Sequence, residues 1–271
     1  MRTLLVLVHK QLYELRWAVI LCWVMLVVFF VFGTFLYRTF GDTSAEAMAR
    51  LSPQLVMGMF GGLLGGLDQL EMWLMTLFLH PLVLTLYAAI TLALASRSLA
   101  GEIERGTLDL LLACPVPRGS LVAAASCSIF LVQALLTASA FAAMRIGLAV
   151  AEIPPPDSLG RFGLVALNLW GLFVAVAGVS LLCSAAASEQ GKAIGRSIGF
   201  LVVSFFVNLL ASFWAKARWA DFASVFHYHQ PQPILTGREA VWGDLAVLLG
   251  VGLVTHVAAL MVFVRRDIAA S

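Results

Sequence analysis

The chain offers few groups with which a protein does chemistry, and their spacing decides what they are for. Met48, Met57, Met59, Met72, Met75 and His80 gather in one stretch, and thioethers suit a soft cation such as Cu(I). Their spacing is irregular and methionine is ordinary apolar filler, so filler is the stronger reading. His227-Tyr228-His229 makes an H-x-H; with no third donor near it in sequence it reads as a turn rather than a metal site. Cys22, Cys114, Cys127 and Cys183 stand apart with no CxxC pair, which implies neither a disulfide framework nor zinc. The sequence contains no H-E-x-x-H, no G-x-S-x-G and no paired carboxylates of the kind an intramembrane hydrolase needs. It also lacks G-x-x-x-x-G-K-[ST]; the glycines at 61–66 come without the lysine. These residues give no support to an enzyme, and no catalytic residue, metal or cofactor is assigned to the chain.

One polar stretch is organised differently. Residues 100–118 read AGEIERGTLDLLLACPVPR. Thr107 suits a helix N-cap, with Asp109 in the first turn. Leu108, Leu111 and Leu112 would then share one face, and Pro115 and Pro117 end the helix. So short a helix is not stable alone in water. Its leucines pack either into a groove on a partner or back onto the ends of this chain's own helices.

Everything around that stretch is apolar. Hydrophobic residues make up 61% of the chain and charged ones 12%, where a soluble domain carries about a quarter; the mean hydropathy is +0.96. Lipid is the solvent that such a chain requires, and no basic block points to nucleic acid. Six runs are long enough to cross about 30 Å of hydrocarbon as helices: 17–37, 72–96, 121–144, 162–187, 198–214 and 245–264. Residues 1–16 mix leucines with His9, Lys10, Glu14 and Arg16, the pattern of a helix lying in the interface. The first run is too long, and begins too late, for a cleaved signal. The expected fold is all-α: a single transmembrane domain, 1–271, with six spans behind an interfacial elbow helix.

Lysine and arginine orient the spans. Ten fall on the side that carries the termini and the 97–120 loop, and seven on the other; the first side is therefore expected to be cytoplasmic. Two outer segments, 38–71 and 214–244, are too apolar for ordinary loops and are expected to hold short helices against the membrane. Within the spans, His80, Gln133, Asn168, Asn208 and His256 read as interhelical hydrogen-bonding groups. Apart from Arg145 and Glu71 near the span ends, no carboxylate or arginine lies within the spans, which disfavours an ion-coupled carrier. A non-transporting membrane scaffold is the other alternative for such a composition.

The inner loop closely resembles that of ABC-2 type permeases: Gly101-Glu102-Ile103-Glu104-Arg105-Gly106-Thr107-Leu108, then Leu111, Pro115 and Arg118. The elbow helix, the apolar outer segment before the last span and the closing Phe263-Val264-Arg265-Arg266-Asp267 resemble the same family. Residues 123–125, all alanine, depart from a Gly-Lys pair found in many members. The loop is also similar to that of the branch serving nitrous-oxide-reductase and multicopper-enzyme maturation.

The resemblance implies a type V half-transporter of the cytoplasmic membrane, multi-pass, with both termini cytoplasmic. It implies a second permease copy or a homologous permease chain, and a separate ABC ATPase subunit, two copies in all, carrying ATP and Mg2+. That ATPase would contact Gly101, Glu102, Glu104, Arg105, Gly106, Thr107, Leu108, Leu111, Leu112, Pro115 and Arg118, with Glu102 and Glu104 meeting its basic groups. Phe205, Phe206 and Asn208 would face the substrate path, and transport would be outward. Membrane lipid is the remaining partner.

Overall fold

The computed structural model describes residues 2–50, 68–108, 116–237 and 241–266, with the side chains of residues 2 and 40–50 left out. All regular structure among them is helical. The order is α1 (Arg2–Glu14), α2 (Arg16–Arg50), α3 (Gln69–Leu79), α4 (Pro81–Ser98), α5 (Ala100–Glu104), α6 (Arg118–Val150), α7 (Leu159–Ala185) and α8 (Gln190–Phe213). Two 3-10 helices, η1 (Ala215–Ala223) and η2 (Val225–Tyr228), precede α9 (Pro231–Thr236) and α10 (Val241–Arg265). Six helical segments are long and apolar enough to cross a membrane; α3 and α4 together make one of them.

Local chemistry explains the punctuation. Asp68 and Glu71 form a reciprocal capping box at the start of α3. His80 and Pro81 then break the second span: Pro81 opens α4, and His80 Nδ1 accepts the Leu82 N–H at 3.2 Å. At the far end of α6, Glu152 takes φ +56°. The Ile153 N–H reaches the Leu148 carbonyl and the Glu152 N–H the Ala149 carbonyl, the Schellman termination. Pro154 to Pro156 then carry the chain across to α7.

Helix α7 is the hub. In its most apolar stretch 78% of residues are buried, against 17% in α8 and 22% in α2, so α8 and α2 form the rim. Small residues set the closest approach. A Cβ at Gly178 would lie 2.0 Å from Thr255 Oγ1 and 2.8 Å from the Gly252 carbonyl, and one at Gly252 would lie 2.8 Å from Val174 Cγ1. Helices α7 and α10 therefore touch backbone to backbone, the packing that works without a hydrophobic drive in lipid. Polar groups reinforce the hub: Gln133 Nε2 donates to Thr91 Oγ1 at 3.0 Å and to the Phe173 carbonyl at 2.9 Å. Tyr87 and Thr137 pair their hydroxyls at 3.1 Å.

Three boundaries differ from the sequence expectation. The first apolar span closes at Thr39, near the expected bound, but the helix that carries it does not stop there: α2 continues to Arg50, because nothing between Tyr37 and Arg50 is a proline or a strong stop. The second span, expected unbroken, is split at His80–Pro81. Helix α8 starts at Gln190 rather than 198, since Glu189-Gln190-Gly191-Lys192 is polar but helix-compatible. Residues 51–67 of the expected first outer segment, with Met57 and Met59, lie outside the described residues. Residues 214–244, the expected second outer segment, contain η1, η2 and α9.

Candidate functional site: the loop beneath the spans

The 101–108 stretch is held in place by groups from three other elements. After α4, Leu99 and Ala100 are fully buried, and the Ala100 N–H donates to Ser184 Oγ at 3.1 Å. Ser184 in turn donates to the Ser96 carbonyl at 3.3 Å, which ties α4 to the end of α7. Gly101 is closely approached: a Cβ would meet Gln190 Oε1 at 3.1 Å and an Arg105 guanidinium nitrogen at 3.2 Å, the ends of two long side chains. Gly106 is glycine for its backbone, at φ +66°; that left-handed step ends the α5 turn and redirects the chain into Thr107.

Glu102 is the centre of the arrangement. Its side chain is 5% exposed and collects three donors. Lys10 Nζ lies at 2.6 Å, Thr107 Oγ1 at 2.6 Å and an Arg105 guanidinium nitrogen at 3.1 Å. Burial by itself would raise this carboxyl, but the hydrogen bonds from Lys10 and Thr107 and the charges of Lys10 and Arg105 outweigh it. The group is held below the ordinary carboxylate range. Lys10 also pairs with Glu14 at 3.1 Å, and Glu14 with Arg97 at 3.1 Å. A continuous charged chain therefore runs from the end of α4 through the elbow helix α1 to the loop.

Glu104 points the other way and accepts the Gln190 N–H at 2.7 Å. A carboxylate on the first N–H groups of a helix is favourable for both hydrogen bonding and dipole. Through it the loop is tied to the start of α8.

Glu102 is thus committed inside the chain, while Glu104 stays exposed with one accepted bond. The sequence expectation sent them to basic groups of a partner, and at Glu102 in particular little surface is left for that. Leu108 is 2% exposed and joins the core, so this leucine folds back onto the chain's own helices. Leu111, Leu112 and Pro115 lie outside the described residues. Arg118 opens α6 and donates to the Arg266 carbonyl at 2.8 Å. Arg266 donates to the carbonyls of Ala185 and Ala187 at 3.0 and 2.7 Å, at the C-terminus of α7. Two sequence signatures 148 residues apart, the arginine closing the loop and the basic ending of the chain, are a single structural joint.

The residues proposed for a path lie on the rim. Phe205 and Phe206 are half exposed, 47% and 53%, and Phe205 meets Phe226 of η2 edge-on at 5.8 Å. The Asn208 amide donates to Asp221 Oδ1 at 3.1 Å, and Asp221 Oδ2 holds His227 Nδ1 at 2.7 Å. The two histidines of the H-x-H have separate partners: His229 Nδ1 lies 2.6 Å from Asn168 Oδ1. Burial pushes His229 down to about 4. Among the described residues no group of three or more His, Cys, Asp or Glu could hold a metal ion; Met75 is packed in the core and His80 caps α4. Sequence reasoning missed the roles of Lys10 and Gln190. Lys10's place one turn from Leu7, on the buried side of an amphipathic helix, was the available signal.

Comparison with known proteins agrees with this architecture. Residues 7–268 match the family described as ABC-2 family transporter protein. The chain is 37% identical over 142 residues to a protein of Pseudomonas aeruginosa described as a probable ABC transporter permease protein, NosY. That match covers 49% of this chain and 48% of the relative, so about half the relative's length is spanned.

Proposed function

The chain belongs to the ABC-2 family of transporter proteins, and on that premise we propose that it is the export permease of an ATP-binding-cassette transporter, driven through its 101–118 loop by a separate ATPase. Two copies of that ATPase would bind ATP and Mg2+, and a second permease copy or related chain would complete the path. The loop side faces the cytoplasm in this reading, as the ten-to-seven excess of lysine and arginine supports, with both termini there, in the cytoplasmic membrane.

The observation that carries the proposal is the wiring of the loop. Glu102 binds it to the elbow helix through Lys10, Glu104 binds it to α8, and Arg118 binds its far end to Arg266 and α7. A push on either described end of the loop is therefore delivered to the elbow helix α1 and to the spans α7 and α8. Glu102 and Glu104 act as levers inside the chain. The contact face for the ATPase is the remainder, Arg105, Gly106 and the leucine turn to Pro115, with Gly101 shaping the bend behind it. Helix α8, mostly uncovered, presents Phe205 and Phe206 to the path between the two permease copies. The buried polar groups of the spans are neutral ones, such as Thr91, Gln133, Thr137 and Asn168, which favours an external motor over an ion-coupled carrier.

The test is co-expression with a candidate ABC ATPase from the same genome, followed by co-purification and ATPase assay in bilayers. The wild-type pair should co-elute, and Leu111→Arg with Leu112→Arg should release the ATPase while leaving the permease inserted. A cysteine at Leu112 should label only from the cytoplasmic side. Labelling from outside intact cells, or co-elution unaffected by the double arginine variant, would refute the docking assignment.

A further inference from the structure

Away from the loop, α6 and α7 diverge to leave an apolar groove of about 350 Å³. Ala134, Ala138 and Phe141 line it from α6, and Gly163, Leu167 and Trp170 from α7. The residues on α6 recur at three- and four-residue steps, and the next position on that face is Arg145. On α7 the face continues past Gly163 to Gly160, where a Cβ would meet nothing within 4 Å. The groove is therefore open at its mouth, and an arginine stands there. Arg145 is exposed, and among the described residues it has no hydrogen-bond or ion-pair partner.

Depth gives the rest. Ala134 to Arg145 is eleven residues, about 16 Å along a helix, and one leaflet of hydrocarbon is about 15 Å thick. The groove therefore runs from near the midplane to the headgroup layer, on the side opposite the 101–118 loop. Its volume is at the small end for ligand sites, which suits one acyl chain rather than a bulky substrate. An unpaired guanidinium at headgroup level matches a phosphodiester, for which arginine is the best-fitted side chain. We infer that the α6–α7 groove is a specific site for an anionic phospholipid of the leaflet away from the loop, one acyl chain between the helices and the phosphate on Arg145. The Trp170 indole N–H at the closed end has no partner among the described residues, and an acyl chain leaves it so. The inference does not depend on the direction of transport.

The experiment uses the full chain in bilayer discs doped with phosphatidylglycerol bearing a photoreactive diazirine midway along one acyl chain. Cross-linked peptides should concentrate in 134–141 and 163–170. Arg145→Gln should lower that yield about fivefold, the equivalent of ~1 kcal/mol for one cation near an anionic bilayer surface. Ala138→Phe, which fills the groove, should abolish it, and the phosphatidylcholine analogue should label these peptides less. Labelling spread evenly over α2, α8 and α10, or a yield unchanged in Arg145→Gln, would overturn the assignment. So would recovery from the wild-type groove of an amphiphile without a phosphate. The wild-type map decides the matter even if a variant fails to fold.

Discussion

Lys10 Nζ and Glu102 Oε1 are 2.6 Å apart across 92 residues of sequence, and the carboxylate is nearly inaccessible while the ammonium is one-third exposed. An interfacial helix is thereby fastened to a loop that would otherwise hang beneath the bundle. Glu102→Ala leaves Lys10 and Arg105 without their shared acceptor. It should lower stability by about 1–2 kcal/mol, a value between an exposed pair and a buried one. The double variant with Lys10→Ala should cost less than the sum of the single ones. Apparent melting temperatures of the four proteins in one detergent measure this, and strict additivity would show that the pair is not coupled.

Two groups outside the spans make stability depend on pH in separable windows. His229 is driven down to about 4 by burial, whereas an unfolded imidazole titrates near 6.5. Its contribution is complete above 6.5 and is lost as pH falls toward 4, because the unfolded chain takes up a proton that the folded one refuses. Glu102 has its carboxyl lowered. Its contribution is complete above the unfolded value of about 4.3 and disappears as pH falls through the lower native one. Thermal scans of wild type and His229→Gln should diverge in slope between pH 6.5 and 4, and Glu102→Gln should flatten only the more acidic limb. Parallel curves for His229→Gln throughout would contradict the first assignment.

The glycines at the α7–α10 crossing admit no side chain. Gly178→Leu would drive carbon into Thr255 and the Gly252 backbone, and overpacking of this kind costs about 1–3 kcal/mol or more. Gly106→Ala meets no neighbour, yet it forces an alanine into the left-handed region, at about 1–2 kcal/mol. The expected outcomes differ in kind: loss of folded, monodisperse protein for the first, and a lower melting point with normal yield for the second. Gly178→Leu recovered at wild-type yield and stability would mean that the helices cross elsewhere.

Arg266 satisfies carbonyls at the end of α7 and receives Arg118 on its own carbonyl. Removal of the side chain by Arg266→Ala should cost about 1–2 kcal/mol, as for charge-assisted bonds to a helix C-terminus. Arg118→Ala should cost less, since it removes one bond at the loop's edge. Hydrogen exchange at the C-terminal turn of α7 should rise in Arg266→Ala. Unchanged protection there would show that the joint contributes nothing.

Composition alone determined the solvent, since 61% apolar residues and six runs of span length leave only helices in lipid as a solution. The loop motif with the elbow and basic ending pointed to the family, because glycine at a left-handed turn and proline at a helix end are local requirements visible in one dimension. The partners of Glu102 and Glu104 were not visible in this way. Lys10 and Gln190 lie 92 and 86 residues from them, and only the packing of α1 and α8 against the loop brings them within reach. The extent of α2 was misjudged for a related reason: residues 38–50 are polar enough to suggest a connection, but a helix with no stop signal continues. The assignment of α7 as hub and α8 as rim was tertiary too. Their hydropathies of 2.1 and 1.8 scarcely differ, and lipid and protein neighbours are equally apolar, so burial among six such helices is decided by which faces carry the small residues that let backbones meet.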